Sequence, residues 1–260
     1  MIVAKIYSYI VLISYDGSYF FGWAKQINKL TVQGYIENSL SKIFKKKIKI
    51  LGTSRTDKGV HAIEQIFSLK IFINFSEKNL LKILKKLLKD LILVKKVKKV
   101  ENFFHPIRNV EKKEYRYFIN IGKYNIFQKK YYWEYNSFIN INNLNKKLKI
   151  FEGKHDFFNY CYCKIKDKKK TNTVREIISA KSWKRKNVII ISFVSKSFLR
   201  YQIRAILGEV VNSFNNKNNN IGNERLKKLL DKKDNNKYRY LAPSSGLYLW
   251  KIFLKKIKKY

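Results

Sequence analysis

Residues 52–62 read G-T-S-R-T-D-K-G-V-H-A, between two segments with the composition of β-strands. Upstream, residues 48–51 form a short apolar run. Downstream, residues 66–75 alternate enough to make a half-buried strand. The loop between them holds one carboxylate, Asp57, flanked by Arg55 and Lys58. Nearby cations favour the charged form of a carboxyl group, so Asp57 is expected to be ionised at neutral pH. Two readings fit. The commoner is a surface turn in which Asp57 merely pairs with Arg55; the other is a charged carboxylate held out for chemistry.

Working outward, residues 6–15 are rich in β-branched and aromatic types and stop at the turn dipeptide Asp16-Gly17. This uncharged stretch behind Lys5 lacks a small-residue cleavage pattern, and it falls short of the roughly 20 residues that span a bilayer. A buried strand is expected. Thr31 is placed to cap a helix whose apolar positions Val32, Tyr35, Ile36, Leu40, Ile43 and Phe44 recur with helical period. Ser76 is placed to cap a second, with Leu80, Leu84, Leu87 and Leu88 on one side and lysines opposite; residues 92–100 read as another strand. Such alternation predicts a sheet with helices packed on one face.

Beyond Pro106 the same grammar returns. Strands are expected at 114–121, 174–183, 188–194 and 247–254, and helices at 143–151, 198–214 and 223–230. The fold class is therefore α+β in two halves, with domains at 1–105 and 106–260. The low-complexity runs 164–170 and 215–220 read as solvated loops.

Composition narrows the partners. The 260 residues hold 57 Lys+Arg against 18 Asp+Glu, a formal charge of +39, yet 45% of residues are hydrophobic and 15% aromatic. The chain folds, and its charge favours a polyanion, nucleic acid ahead of an anionic membrane. Part of the lysine excess reflects A- and U-rich codons, since Gly (10) and Pro (2) fall well below usual frequencies of about 7% and 5%. Cys161 and Cys163 make neither a disulfide framework nor a zinc site, and His61, His105 and His155 lack metal-ligand spacing. No metal is expected, and a reducing cytoplasm fits.

Several short motifs recur in a fixed order: Tyr15-Asp16-Gly17-Ser18, Gly22-Trp23, Thr31-Val32-Gln33, the Asp57 loop, Phe104-His105, Tyr115-Arg116-Tyr117, Gly153-Lys154-His155-Asp156-Phe157, Val174-Arg175, a Phe198-to-Arg204 block with Gly208, Ala242-Pro243 and Gly246-Leu247-Tyr248-Leu249. Together they resemble the tRNA pseudouridine synthase A family over residues 9–254. That family's signature loop reads G-R-T-D-A-G-V-H-A, with an essential aspartate where Asp57 stands. Lys58 replaces the usual alanine and Ser54 the usual glycine, and neither change removes a reacting group. Lys25 stands where the G-W-Q-R-Q block carries arginine. Ile107 stands where F-H-A-R-F expects arginine, with Arg108 next in line.

The resemblance implies two ferredoxin-like α/β-sandwich halves around a central basic cleft. It implies Asp57, Tyr115 and Arg204 as catalytic residues: Asp57 attacks, Tyr115 packs beneath the target base, and Arg204 pairs with the aspartate. Tyr115, Arg55, Lys25, His61 and Arg200 are the implied RNA contacts, Arg55 filling the space left by the everted base. The implied partner is transfer RNA, held across a homodimer with no membrane involved and modified at positions 38, 39 and 40. Isomerising uridine adds no group and changes no redox state, so no cofactor is implied. Each residue also has a plainer role: Tyr115 as a core aromatic, Arg204 as a solvated cation, His61 as a backbone partner, Trp23 as packing. A non-catalytic RNA-binding or ribosome-associated protein accounts for charge and aromatic content equally well. A metal-dependent nuclease would need clustered carboxylates, and only Glu64 lies near Asp57 in sequence.

Overall fold

The computed structural model describes residues 5–162, 172–215, 219–231 and 240–255. The chain divides into two compact units, one of residues 1–111 with 248–260 and one of residues 112–247.

In the first unit the order is β1 (Tyr7–Tyr15), α1 (Val32–Phe44), β2 (Ile50–Gly52), β3 (His61–Ile71), α2 (Glu77–Leu88) and β4 (Ile92–Val100). The strands lie in the order β4-β1-β3 with β2 on β3, all antiparallel. This is the ferredoxin-like βαββαβ arrangement. Strict alternation on β1 buries Tyr9, Val11, Ile13 and Tyr15, while α1 buries Val32, Ile36 and Leu40 and α2 buries Leu80, Leu84 and Leu88. Both expected caps form, with Thr31 accepting from the Gly34 amide and Ser76 from the Asn79 amide. Each satisfies an amide that the first helical turn leaves unpaired.

The second unit carries all but the first two residues of β5 (Val110–Asn120), then β6 (Trp133–Glu134), α3 (Ile141–Lys149), β7 (Gly153–Asp156), β8 (Val174–Arg185), β9 (Val188–Ser195), α4 (Gln202–Asn212) and α5 (Asn219–Asp231). Its strands run β5-β9-β8-β7, antiparallel, with β6 parallel to the end of β5. Ile189, Ile191 and Phe193 alternate inward on β9, and α4 is apolar nearly all round, burying Ile203, Ala205, Ile206, Leu207, Val210 and Val211. A helix of that kind belongs inside a core.

Several boundaries differ from expectation. The last strand, β10 (Leu247–Leu254), pairs in parallel with β3 through Tyr248↔His61 and Leu249↔Ala62. Residues from Tyr248 onward therefore join the first unit rather than a 106–260 domain, and the first unit extends to Glu111. Strand β3 begins at His61, five residues before the apolar run that marked it. Helix α4 begins at Gln202 because Tyr201 has a left-handed backbone (φ 65°), leaving residues 198–201 as the turn that enters it. Run 164–170 lies outside the described residues, and of 215–220 the last two already belong to α5. Among the described residues, no helix is long and apolar enough to cross a membrane.

Candidate active site

In the first unit the Asp57 loop leaves β2 and enters β3, and its neighbours pin it at nearly every step. The Thr53 amide donates to the Ile66 carbonyl at 2.9 Å. Gln65, fully buried, accepts the Thr53 hydroxyl at 2.7 Å and donates to the Ser54 carbonyl at 2.8 Å. The Tyr15 and Thr56 hydroxyls meet at 2.8 Å, and the Trp23 amide donates to the Thr56 carbonyl at 3.0 Å. Past the turn, the Val60 amide donates back to the Asp57 carbonyl at 3.2 Å. Asp57 itself is half-buried, whereas Arg55 and Lys58 are exposed. The Lys58 ammonium lies 4.4 Å from the centre of the Phe21 ring.

Two of the early motifs form the bed of this loop. A Cβ on Gly17 would fall 2.1 Å from the Val60 carbonyl oxygen, and one on Gly22 2.6 Å from that of Thr56. Gly22 also has φ +93°, which L side chains rarely adopt. Only glycine lets the chain run this close beneath Asp57.

His61 is 2% exposed. The Gly17 amide donates to its Nδ1 at 3.1 Å, and Asp16 Oδ1 lies 3.1 Å from the same nitrogen. The two contacts are alternatives for that atom, as acceptor or as N–H donor. Its ring stacks on Tyr248, with centroids 4.5 Å apart and an interplanar angle of 20°. Lys25 is exposed, and its ammonium lies 3.7 Å from Glu37. Arg108 is exposed, its amide donating to His105 Nδ1 at 3.3 Å.

In the second unit, Tyr115 and Tyr117 project to one face of β5, as residues two apart on a strand must. Tyr115 is 8% exposed and meets Phe198 edge to face at 5.3 Å. Tyr117 donates to the Pro243 carbonyl at 2.7 Å, and burial pushes its phenol pKa up, offset in part by the Arg204 charge. Arg204, in the first turn of α4, donates from Nε to the Ala242 carbonyl at 2.7 Å, while the Ala242 amide donates back to the Arg204 carbonyl at 3.0 Å. The first bond holds the guanidinium at Nε, and the second ties the main chain that carries it to the same residue. The close approach of α4 to this segment requires Gly208, where a Cβ would lie 2.1 Å from the Tyr240 carbonyl oxygen. Arg200 is exposed, its guanidinium 4.8 Å from the ring centres of both Tyr162 and Tyr201.

A family model described as tRNA pseudouridine synthase matches residues 11–108 and 148–253. The chain belongs to the tRNA pseudouridine synthase family. Among its relatives, tRNA pseudouridine synthase A of Borreliella afzelii is 42% identical over 243 residues, covering 93% of this chain and 96% of the relative. The protein of the same description from Dictyoglomus thermophilum is 39% identical over 246 residues, 93% and 97% of the two chains. That of Mycoplasma genitalium is 35% identical over 249 residues, 95% and 99% of the two.

For this family member, the first unit brings Asp57, Arg55 and His61 together around one loop, and the second sets Arg204 beside the Tyr115–Tyr117 face of β5. Sequence reading missed Gln65, and it placed Tyr15 in a motif without its hydroxyl contact to Thr56; both residues hold the loop. Gln65 left a signal: it is a polar residue at an inward position, in register with Phe67 and Leu69 on β3.

Proposed function

We propose that the chain is a tRNA pseudouridine synthase that isomerises uridine at positions 38, 39 and 40 of the anticodon arm. The observation carrying this reading is the family match across both units, with Asp57 at the place of the signature aspartate. In the reaction the N1–C1′ bond breaks, the uracil turns, and a C5–C1′ bond forms as the C5 proton leaves and N1 gains one. The ionised Asp57 is the group that attacks or removes a sugar proton, which divides one difficult step into easier ones. The uridine has to leave its stack to reach a carboxylate, at a cost of a few kcal/mol that aromatic stacking and phosphate contacts offset.

In this reading Tyr115 stacks on the everted base and assists loss of the C5 proton. Arg204 keeps Asp57 charged and oriented, and Arg55 fills the gap in the RNA. Lys25 and Arg200 contact the RNA backbone. The burial of His61 gives it a positioning role, through Gly17, in place of direct RNA contact. The family resemblance adds a basic cleft for the RNA, a homodimer that grips one transfer RNA across both subunits, and a cytoplasmic setting.

The test is conversion of an unmodified tRNA transcript by purified protein, with pseudouridine mapped by position. Product at 38–40 with wild type and none with Asp57→Asn is expected. Turnover by Asp57→Asn would remove Asp57 from the chemistry; binding without conversion by wild type would favour a non-catalytic RNA-binding protein.

A further inference from the structure

The end of α1 and the segment leading to β2 enclose an open groove of about 710 Å³, lined by Lys25, Lys45, Lys46, Lys47 and Lys49 with Glu37 on its floor. Five lysines line the groove against one carboxylate, and that carboxylate is occupied; the Lys46 ammonium rests 5.2 Å from the centre of the exposed Phe72 ring, outside the groove lining. Glu37 is 7% exposed; its Oε1 accepts from Gln33 Nε2 at 2.9 Å and from the Ile50 amide at 3.1 Å, while Oε2 faces Lys25 at 3.7 Å. The groove therefore presents a positive excess to solvent, at the C-terminal end of a helix where cations are already favoured. Its shape is imposed by the fold: Lys45 ends α1 in a left-handed conformation (φ 49°), and the Ile48 amide donates to Ser41 Oγ at 2.9 Å, turning the lysine run back along the helix.

We propose that this groove docks the phosphodiester backbone of transfer RNA, separately from the Asp57 loop, a reading that rests on the synthase assignment. Lysines 45, 46, 47 and 49 are exposed. Flexible ammonium groups act as point charges along a run of phosphates, whereas a compact anion site is usually built from guanidinium forks or converging backbone amides. An open channel with charges strung along it fits a polyanion better than a small anion.

The experiment compares two variants of the full chain that each remove three exposed lysines. Lys46→Gln/Lys47→Gln/Lys49→Gln empties the groove wall; Lys82→Gln/Lys85→Gln/Lys86→Gln strips the same charge from α2. Binding of a fluorescent tRNA transcript is followed across a salt series, with the thermal midpoint of each protein as a check on folding. The groove variant is expected to bind about 10-fold more weakly near 0.1 M salt, its log K against log salt slope flatter by about 2, as for three lost phosphate contacts at ~0.7 each. The α2 variant is expected to stay within about twofold of wild type. Equal losses in both, or wild-type affinity and slope in the groove variant, would overturn the proposal. Inorganic phosphate that raises the thermal midpoint of wild type but not of the groove variant, with tRNA affinity equal in the two, would also overturn it, by making the groove a small-anion site. Groove-dependent tRNA binding by a wild type that forms no pseudouridine would refute the synthase reading and leave the groove standing.

Discussion

Gly22 lies so close beneath Thr56 that a Cβ would come within 2.6 Å of the Thr56 carbonyl oxygen, while the neighbouring Trp23 amide donates to that same oxygen. The residue before Asp57 is thus fixed by a segment more than thirty positions upstream. Gly22→Ala adds both a clash and a residue at φ +93°, strain of the order of 1–3 kcal/mol. We expect the fold to survive with a lowered melting temperature and kcat for pseudouridine formation to fall at least tenfold, because the loop must move. An unchanged kcat in a destabilised protein would show that the loop's position tolerates that shift.

His61 separates a structural from an RNA-contacting role. Its removal alters no lysine or arginine, but it takes away the acceptor of the Gly17 amide and the ring against Tyr248. A buried truncation with an unpaired amide costs about 2–4 kcal/mol. His61→Ala is therefore expected to lower chemical-denaturation stability by that order, leaving the salt dependence of tRNA binding unchanged. A stable variant with weakened, less salt-sensitive binding would return His61 to the RNA surface.

Local pattern carried much of the fold because local chemistry decides it. The hydroxyl caps Thr31 and Ser76, the alternation on β1 and the apolar stripe of α2 each need only a few neighbouring residues to be recognised. The failures share a cause in distance. The assignment of β10 to the first unit depends on a parallel pairing with β3 across nearly two hundred residues. The strand at His61–Gln65 hides behind polar residues that are buried only because Gly17, Thr53 and Tyr248 meet them. In the candidate site, Asp57 was legible through its motif; Tyr15 stood in a motif of its own without its hydroxyl contact to Thr56 being foreseeable, and Gln65, which also holds the loop, belongs to no chemistry-bearing pattern.

Arg204 tests whether guanidinium geometry matters beyond charge. Nε is held by the Ala242 carbonyl at 2.7 Å, an anchor that lysine lacks, since an ammonium has no fork to split between two partners. Arg204→Lys is expected to keep the positive charge yet lower kcat about 100-fold, with KM for tRNA changed less than threefold. A KM effect with kcat preserved would place Arg204 in RNA binding instead of support for the reacting carboxylate.

Lys113 gives the protein a pH dependence of the same sign as a paired carboxylate, but in the alkaline range and from the burden of a buried charge instead of from a favourable pairing. It lies two residues before Tyr115 on the same face of β5, and burial lowers its ammonium pKa to about 8. In the unfolded chain a lysine titrates near 10.4, so between about pH 8 and 10.4 the unfolded state binds the extra proton. Stability then rises with pH across that window, and below it the folded protein carries the full burden of a buried charge. Replacing Lys113 with methionine, of similar length and uncharged, should raise the melting temperature at pH 7 and shrink its advantage over wild type as pH approaches 10. A constant difference between the two proteins from pH 7 to 10 would show that the Lys113 charge is solvated in the folded state.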